Sequence, residues 1–198
     1  MIRNVVFDIG RVILRLDPRP IIEFMQARAA PCNDLQSLIA NIPLDDHECG
    51  RLDGKGLLEH MQSLTQPTAT LEDLHAKWVD MFEIERDMLE LARALSSRYR
   101  VYLLSNVGDL HWAHLCREYE IDRLGHGVLP SFLAGWMKPH DAIYAEAERR
   151  FTLEPATTVF IDDRAENIAA ARARGWHGIV HGEYAATREA LLALGVSA

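Results

Sequence analysis

Val5-Val6-Phe7 is a short apolar run that stops on an acid, Asp8, and reaches a glycine, Gly10, two residues later. A strand covered on both faces must be apolar throughout, so this run reads as a parallel strand inside a layered domain. A carboxylate at the carboxyl end of such a strand lies where open α/β sheets present reactive groups. Alone, the segment has a plainer reading, because Asp often closes a strand by accepting turn hydrogen bonds. What constrains the chain is recurrence. Val101-Tyr102-Leu103-Leu104 ends in Ser105-Asn106, and Thr158-Val159-Phe160-Ile161 ends in Asp162-Asp163.

Helical spacing fills the intervals. Asp17-Pro18-Arg19-Pro20 marks a break and a helix start. From there apolar residues recur at helical intervals: Ile21, Ile22, Met25 and Ala29; then Leu57, Leu58, Met61 and Leu64; then Leu71, Leu74, Trp78, Met81 and Phe82. Polar turns separate them, Cys49 to Gly54 and Gln66-Pro67-Thr68. Residues 17–85 therefore read as a small all-helical insertion after the first strand. Residues 1–16 and 86–198 read as the core. Helices are expected near Met88–Ser97, Asp109–Tyr119, His140–Arg150 and Ala185–Leu194, with weaker strands at Gly127–Leu129 and Trp176–Val180. Alternating strands and helices give an α/β, Rossmann-like parallel sheet covered on both faces. In that architecture the carboxyl ends of the strands share one rim.

The chain has 198 residues and a net charge of -8. That balance argues against a nucleic-acid partner, which needs clustered Lys and Arg. Cys32, Cys49 and Cys116 are odd in number and in no metal-ligand spacing, which suits reduced thiols. The chain opens on a strand and has no apolar run of membrane-spanning length. The expectation is a cytoplasmic protein, without a signal peptide or membrane partner, as a monomer or weak homodimer.

Carboxylates gathered at one place stay ionised together only with a cation among them. Asp8 with Asp162 and Asp163 thus reads as a hard-metal site, and oxygen ligands favour Mg²⁺. Lys138, in the loop Ala134-Gly135-Trp136-Met137-Lys138-Pro139, can neutralise a phosphate. Ser105 can donate its hydroxyl to a phosphate oxygen. Asp8 would then be the nucleophile that carries the phosphoryl group. Each residue also has a structural reading: Asp162-Asp163 as a helix cap, Ser105 as a cap, Asn106 as a turn residue, Lys138 as a solvated lysine. Their order at successive strand ends is what favours chemistry.

That order, Asp8-Ile9-Gly10-Arg11-Val12, Leu104-Ser105-Asn106, Lys138-Pro139 and Phe160-Ile161-Asp162-Asp163 with Asn167-Ile168, resembles the four motifs of the haloacid dehalogenase-like hydrolase superfamily. The helical insertion resembles the cap of its subfamily I. Phe7-Asp8-Ile9-Gly10, Gly135-Trp136-Met137-Lys138-Pro139 and Ile161 to Ile168 are similar to a glucose 1-phosphate phosphatase group. The resemblance implies a Mg²⁺-dependent phosphatase of a small phosphate ester. It makes Asp8 the nucleophile, with Ser105 and Lys138 on phosphate; Asn106, beside Ser105, is expected to bind substrate. It puts Asp8, the carbonyl of Gly10 and Asp163 on the metal, with Asp162 behind them.

One position departs from the superfamily. Most of its phosphatases carry an Asp two residues after the nucleophile, as general acid and base. Here that residue is Gly10. A sugar 1-phosphate leaves as a hemiacetal oxygen and needs less acid help. His47, in the polar cluster Asp45-Asp46-His47-Glu48 with Arg51, which reads as a turn between apolar helices, is the expected substitute donor and substrate contact from the cap. His111 and His114 are expected on a helix surface. The rivals are a 2-haloacid dehalogenase, which needs no metal, and a phosphate- or metal-binding module without turnover.

Overall fold

The computed structural model describes residues 1–29, 35–65 and 69–198. Cys32 and the Gln66-Pro67-Thr68 turn lie outside the described residues. Five strands form one parallel sheet: β1 (Asn4–Phe7), β4 (Arg100–Ser105), β5 (Gly127–Pro130), β6 (Thr158–Asp162) and β7 (His177–Val180). Their order is β5-β4-β1-β6-β7, so the strand carrying Asp8 is central.

Alternate side chains of these strands enter two separate cores, as the pleat requires. On one face Val5, Phe7, Val101, Leu103, Val159 and Ile161 pack with Met88, Leu91, Ala92 and Leu95 of α6 (Arg86–Leu95) and with Leu191 of α11 (Tyr184–Ala193). Leu115 of α7 (Asp109–Tyr119) joins the same core. On the other face Val6, Tyr102, Leu104 and Phe160 meet Ile143, Tyr144 and Ala147 of α9 (Asp141–Phe151) and Ile168 and Ala171 of α10 (Ala165–Ala173). A single turn of helix, α8 (Ser131–Ala134), follows β5. The register sets the rim. Phe7 pairs with both Leu103 and Ile161, so Asp8 emerges level with Leu104 and Asp162.

Between β1 and α6 lie α1 (Arg19–Gln26), α2 (Leu35–Ala40), α3 (Leu44–Glu48), α4 (Gly54–Ser63) and α5 (Leu71–Val79). They bury a third core of Ile21, Met25, Leu57, Met61, Leu74 and Trp78. Two local expectations are corrected. The insertion is helical but not entirely so: α5 stops at Val79, and Phe82–Ile84 forms a strand, β3, antiparallel to β2 (Leu14–Leu16). The apolar spacing runs through Phe82 because that residue packs against both the insertion and the sheet core. The Asp45–Glu48 cluster, read as a turn, is most of helix α3. Among the described residues, no helix is long and apolar enough to cross a membrane.

Candidate active site

The rim is assembled from three strand ends and one loop. Asp8 is buried, and its contacts fall on Oδ1, which accepts the Ile9 N–H (2.6 Å) and Lys138 Nζ (2.9 Å). Burial pushes this carboxyl up to about 6; Lys138 opposes the shift and Asp162 adds to it. Lys138 is itself buried. Its ammonium donates to Asp8 Oδ1, to Asp162 Oδ2 (2.7 Å) and to the Leu104 carbonyl (2.9 Å), so all three N–H groups are used. Burial alone would lower the ammonium, but the two carboxylates outweigh it and raise it.

Asp162 is fully buried. Oδ1 accepts the Arg164 N–H (2.8 Å) and Asn167 Nδ2 (2.9 Å), and Oδ2 accepts Lys138. It holds Lys138 in place and has little left to offer a metal. Asp163 differs: it is half-buried, and its ion-pair partner is Arg11 at 3.9 Å. Burial and the neighbouring Asp162 raise its carboxyl, against Arg11 and Lys138.

Ser105 closes β4 in a buried position, and its hydroxyl makes no hydrogen bond among the described residues. Asn106, expected on substrate, uses its amide within the protein. Both ends of its amide are spent on the Lys138 backbone: Nδ2 donates to the carbonyl (2.9 Å) and Oδ1 accepts the N–H (2.8 Å). It positions the lysine. At Gly10 the backbone is ordinary. The left-handed residue of the turn is the next one, Arg11, at φ +58°.

His47, expected as proton donor and substrate contact, lies inside the fold. Its ring is buried, with Nδ1 against the Leu52 carbonyl (3.1 Å) and Nε2 at 3.7 Å from Asp109 Oδ1. It is packed into the contact between α3 and α7, with no side-chain surface exposed. His111, expected on a surface, is buried and stacked on Trp78 with ring centroids 4.6 Å apart. Ser131 is a residue that sequence reasoning missed. It is fully buried, donates to the Glu48 carbonyl (2.6 Å) and accepts the Val107 N–H (2.9 Å). A serine after a weak strand carries no sequence signal for such a role.

Asp8, Asp162 and Asp163 each offer an oxygen within 4.8 Å of the others. Three carboxylates there share one buried ammonium, so the site is short of positive charge. Burial first, and then the neighbouring Asp162, raises the carboxyls of Asp8 and Asp163. Oxygen donors with that deficit fit a hard divalent cation.

Residues 2–175 match the model of the haloacid dehalogenase-like hydrolase family. The chain belongs to this family. Among curated proteins, it is 25% identical over 185 residues to the D-ribitol-5-phosphate phosphatase of Bacteroides thetaiotaomicron, covering 89% of this chain and 90% of that one. It is 26% identical over 178 residues to the sesquiterpene phosphatase astK of Aspergillus oryzae, covering 88% and 87%. A crystal structure of a family enzyme from Bacteroides thetaiotaomicron, in complex with magnesium and inorganic phosphate, superposes with a TM-score of 0.81 at 23% identity, over 92% of this chain and 95% of that one. That likeness carries the fold.

Proposed function

We propose that this hydrolase is a Mg²⁺-dependent phosphatase of a small phosphate ester, with a sugar phosphate such as glucose 1-phosphate as its substrate. The observation that carries the reading is the rim itself: Asp8 and Asp162 on one buried ammonium, with Asp163 beside them. Asp8 attacks phosphorus and carries the phosphoryl group as an aspartyl-phosphate, which water then hydrolyses. Lys138 steadies the nucleophile and the phosphate, and Ser105 donates its free hydroxyl to a phosphate oxygen. Asp8, the Gly10 carbonyl and Asp163 hold Mg²⁺. When bound, the ion supplies the missing positive charge and draws negative charge from the phosphate oxygens. Residues 17–85 act as the cap that selects the ester.

The two curated phosphatases act, by name, on a polyol phosphate and on a sesquiterpene, so relatedness supports the reaction more than the alcohol. The sugar-phosphate reading rests on the motif resemblance. A dehalogenase needs no metal, and the clustered carboxylates Asp8, Asp162 and Asp163 argue against one.

Release of inorganic phosphate from a panel of sugar phosphates, with and without Mg²⁺, tests the reading. The expected result is Mg²⁺-dependent release, strongest on glucose 1-phosphate and abolished in Asp8→Asn. Release that persists in Asp8→Asn would refute the mechanism. Mg²⁺ binding without any release would favour a binding module, with Gly10 as the reason.

A further inference from the structure

We propose that Glu48, on the cap, is the acid that protonates the leaving group and the base that later activates water, in place of the side chain that Gly10 lacks. The proposal rests on Asp8 being the nucleophile. A Cβ built on Gly10 meets nothing within 4 Å, so space is open beside the nucleophile. The other candidates are committed. Lys138 uses every N–H, Asp162 is saturated, and Arg164 pairs with Glu166. His47 and His111 are buried in the contact between cap and core. His181 is tied to Thr187 Oγ1 (2.7 Å) beyond β7, two strands from β1.

Glu48 is differently placed. It ends α3, and its carbonyl is held by Ser131, which also binds Val107, two residues beyond Ser105. One buried serine thus fixes the Glu48 backbone to the segment leaving β4. Glu48 is half-buried, and no donor among the described residues binds its carboxyl. Burial, then Asp45 and Asp8, push that carboxyl up to about 7, against Lys138 and Arg164. Asp8, Lys138 and Arg164 stand on three different rim segments, and the Glu48 carboxyl is near enough to feel the charge of each. At neutral pH it can both give and take a proton.

The steps balance. An Asp8 oxygen bonds to phosphorus, and the ester P–O bond breaks with its electron pair on the leaving oxygen. Glu48 gives that oxygen its proton, and an alcohol departs. The Glu48 carboxylate then takes a proton from water, whose oxygen bonds to phosphorus. The Asp8–phosphorus bond breaks, its pair returns to Asp8, and phosphate is released.

The test is kcat/KM, which reports phosphoryl transfer to Asp8, for ribitol 5-phosphate and for p-nitrophenyl phosphate, whose leaving group needs no proton. In Glu48→Gln the alkyl ester is expected to lose about 100-fold or more. The aryl ester should change only a few fold, and the fall of alkyl-ester activity above neutral pH should disappear. Glu48→Asp, which keeps a carboxyl on a shorter arm, should lie between. Equal losses on both esters in both variants would make Glu48 a packing residue and overturn the proposal, as would no loss on either. Asp8→Asn is run beside them. Wild type inactive on both esters and on glucose 1-phosphate, or Asp8→Asn active on any of them, overturns the phosphatase reading itself. Asp8-dependent turnover with Glu48→Gln unaffected overturns only the role of Glu48.

Discussion

Arg11 holds a left-handed backbone, φ +58°, which costs an ordinary side chain about 1–2 kcal/mol. Its guanidinium is exposed and stands 3.9 Å from Asp163, a contact of small value in water. Arg11→Gly removes the backbone cost and gives back part of it as unfolded-chain entropy. The expected result is a rise in stability of about 0.5–1 kcal/mol, read from the midpoint of urea unfolding. A fall would show that the guanidinium contact outweighs the strain. Much of the site is legible at this scale. Asp8, Ser105 and Asp162 end apolar runs, and a run's end is visible in sequence. The left-handed residue is not, because Gly10 draws the inference by composition while the turn's hydrogen bonds, Arg11 N–H to Leu14 O among them, put the unusual φ one residue later. The use of Asn106 is equally hidden: its partner, Lys138, is distant in the chain.

Helices α5 and α7 meet through His111, whose Nε2 faces the Trp78 carbonyl (2.9 Å) while Phe82 stands edge-on to the ring. Burial lowers this imidazole to about 4, against the Trp78 carbonyl, which raises it. The folded state therefore prefers the neutral ring. The sign follows: the stabilisation is complete above the unfolded value of about 6.5 and is lost as pH falls from there towards 4. The full effect is on the order of 3 kcal/mol. Urea unfolding at pH 7.5 and pH 4.5 checks it, with wild type expected to lose more stability than His111→Phe. Equal losses would mean that this ring does not carry the acid sensitivity. Helical spacing locates α7 to the residue, Asp109 to Tyr119, yet not the burial of His111. That burial depends on Trp78 and Phe82 arriving from the insertion. The same dependence hides β3, since Phe82 pairs with Leu16 across a long stretch of chain.

At the scale of the whole molecule, the insertion and the sheet core approach closely enough to need a residue without a side chain. Gly108 has an ordinary backbone, φ -89° and ψ 171°, so its conformation does not demand glycine. Its neighbour does: a Cβ there would overlap the buried His47 imidazole, which Leu52 holds by its carbonyl. Gly108→Ala must therefore move His47, and with it α3 and Glu48. Overpacking of this kind costs about 1–3 kcal/mol. If Glu48 acts from α3, displacement of that helix should slow an alkyl phosphate more than an aryl phosphate. The expected result for Gly108→Ala is a lower midpoint of thermal unfolding together with that selective loss. A lower midpoint with both esters slowed equally would separate packing of the insertion from proton transfer. An unchanged midpoint would show that His47 yields without cost, so that the contact is looser than its burial implies.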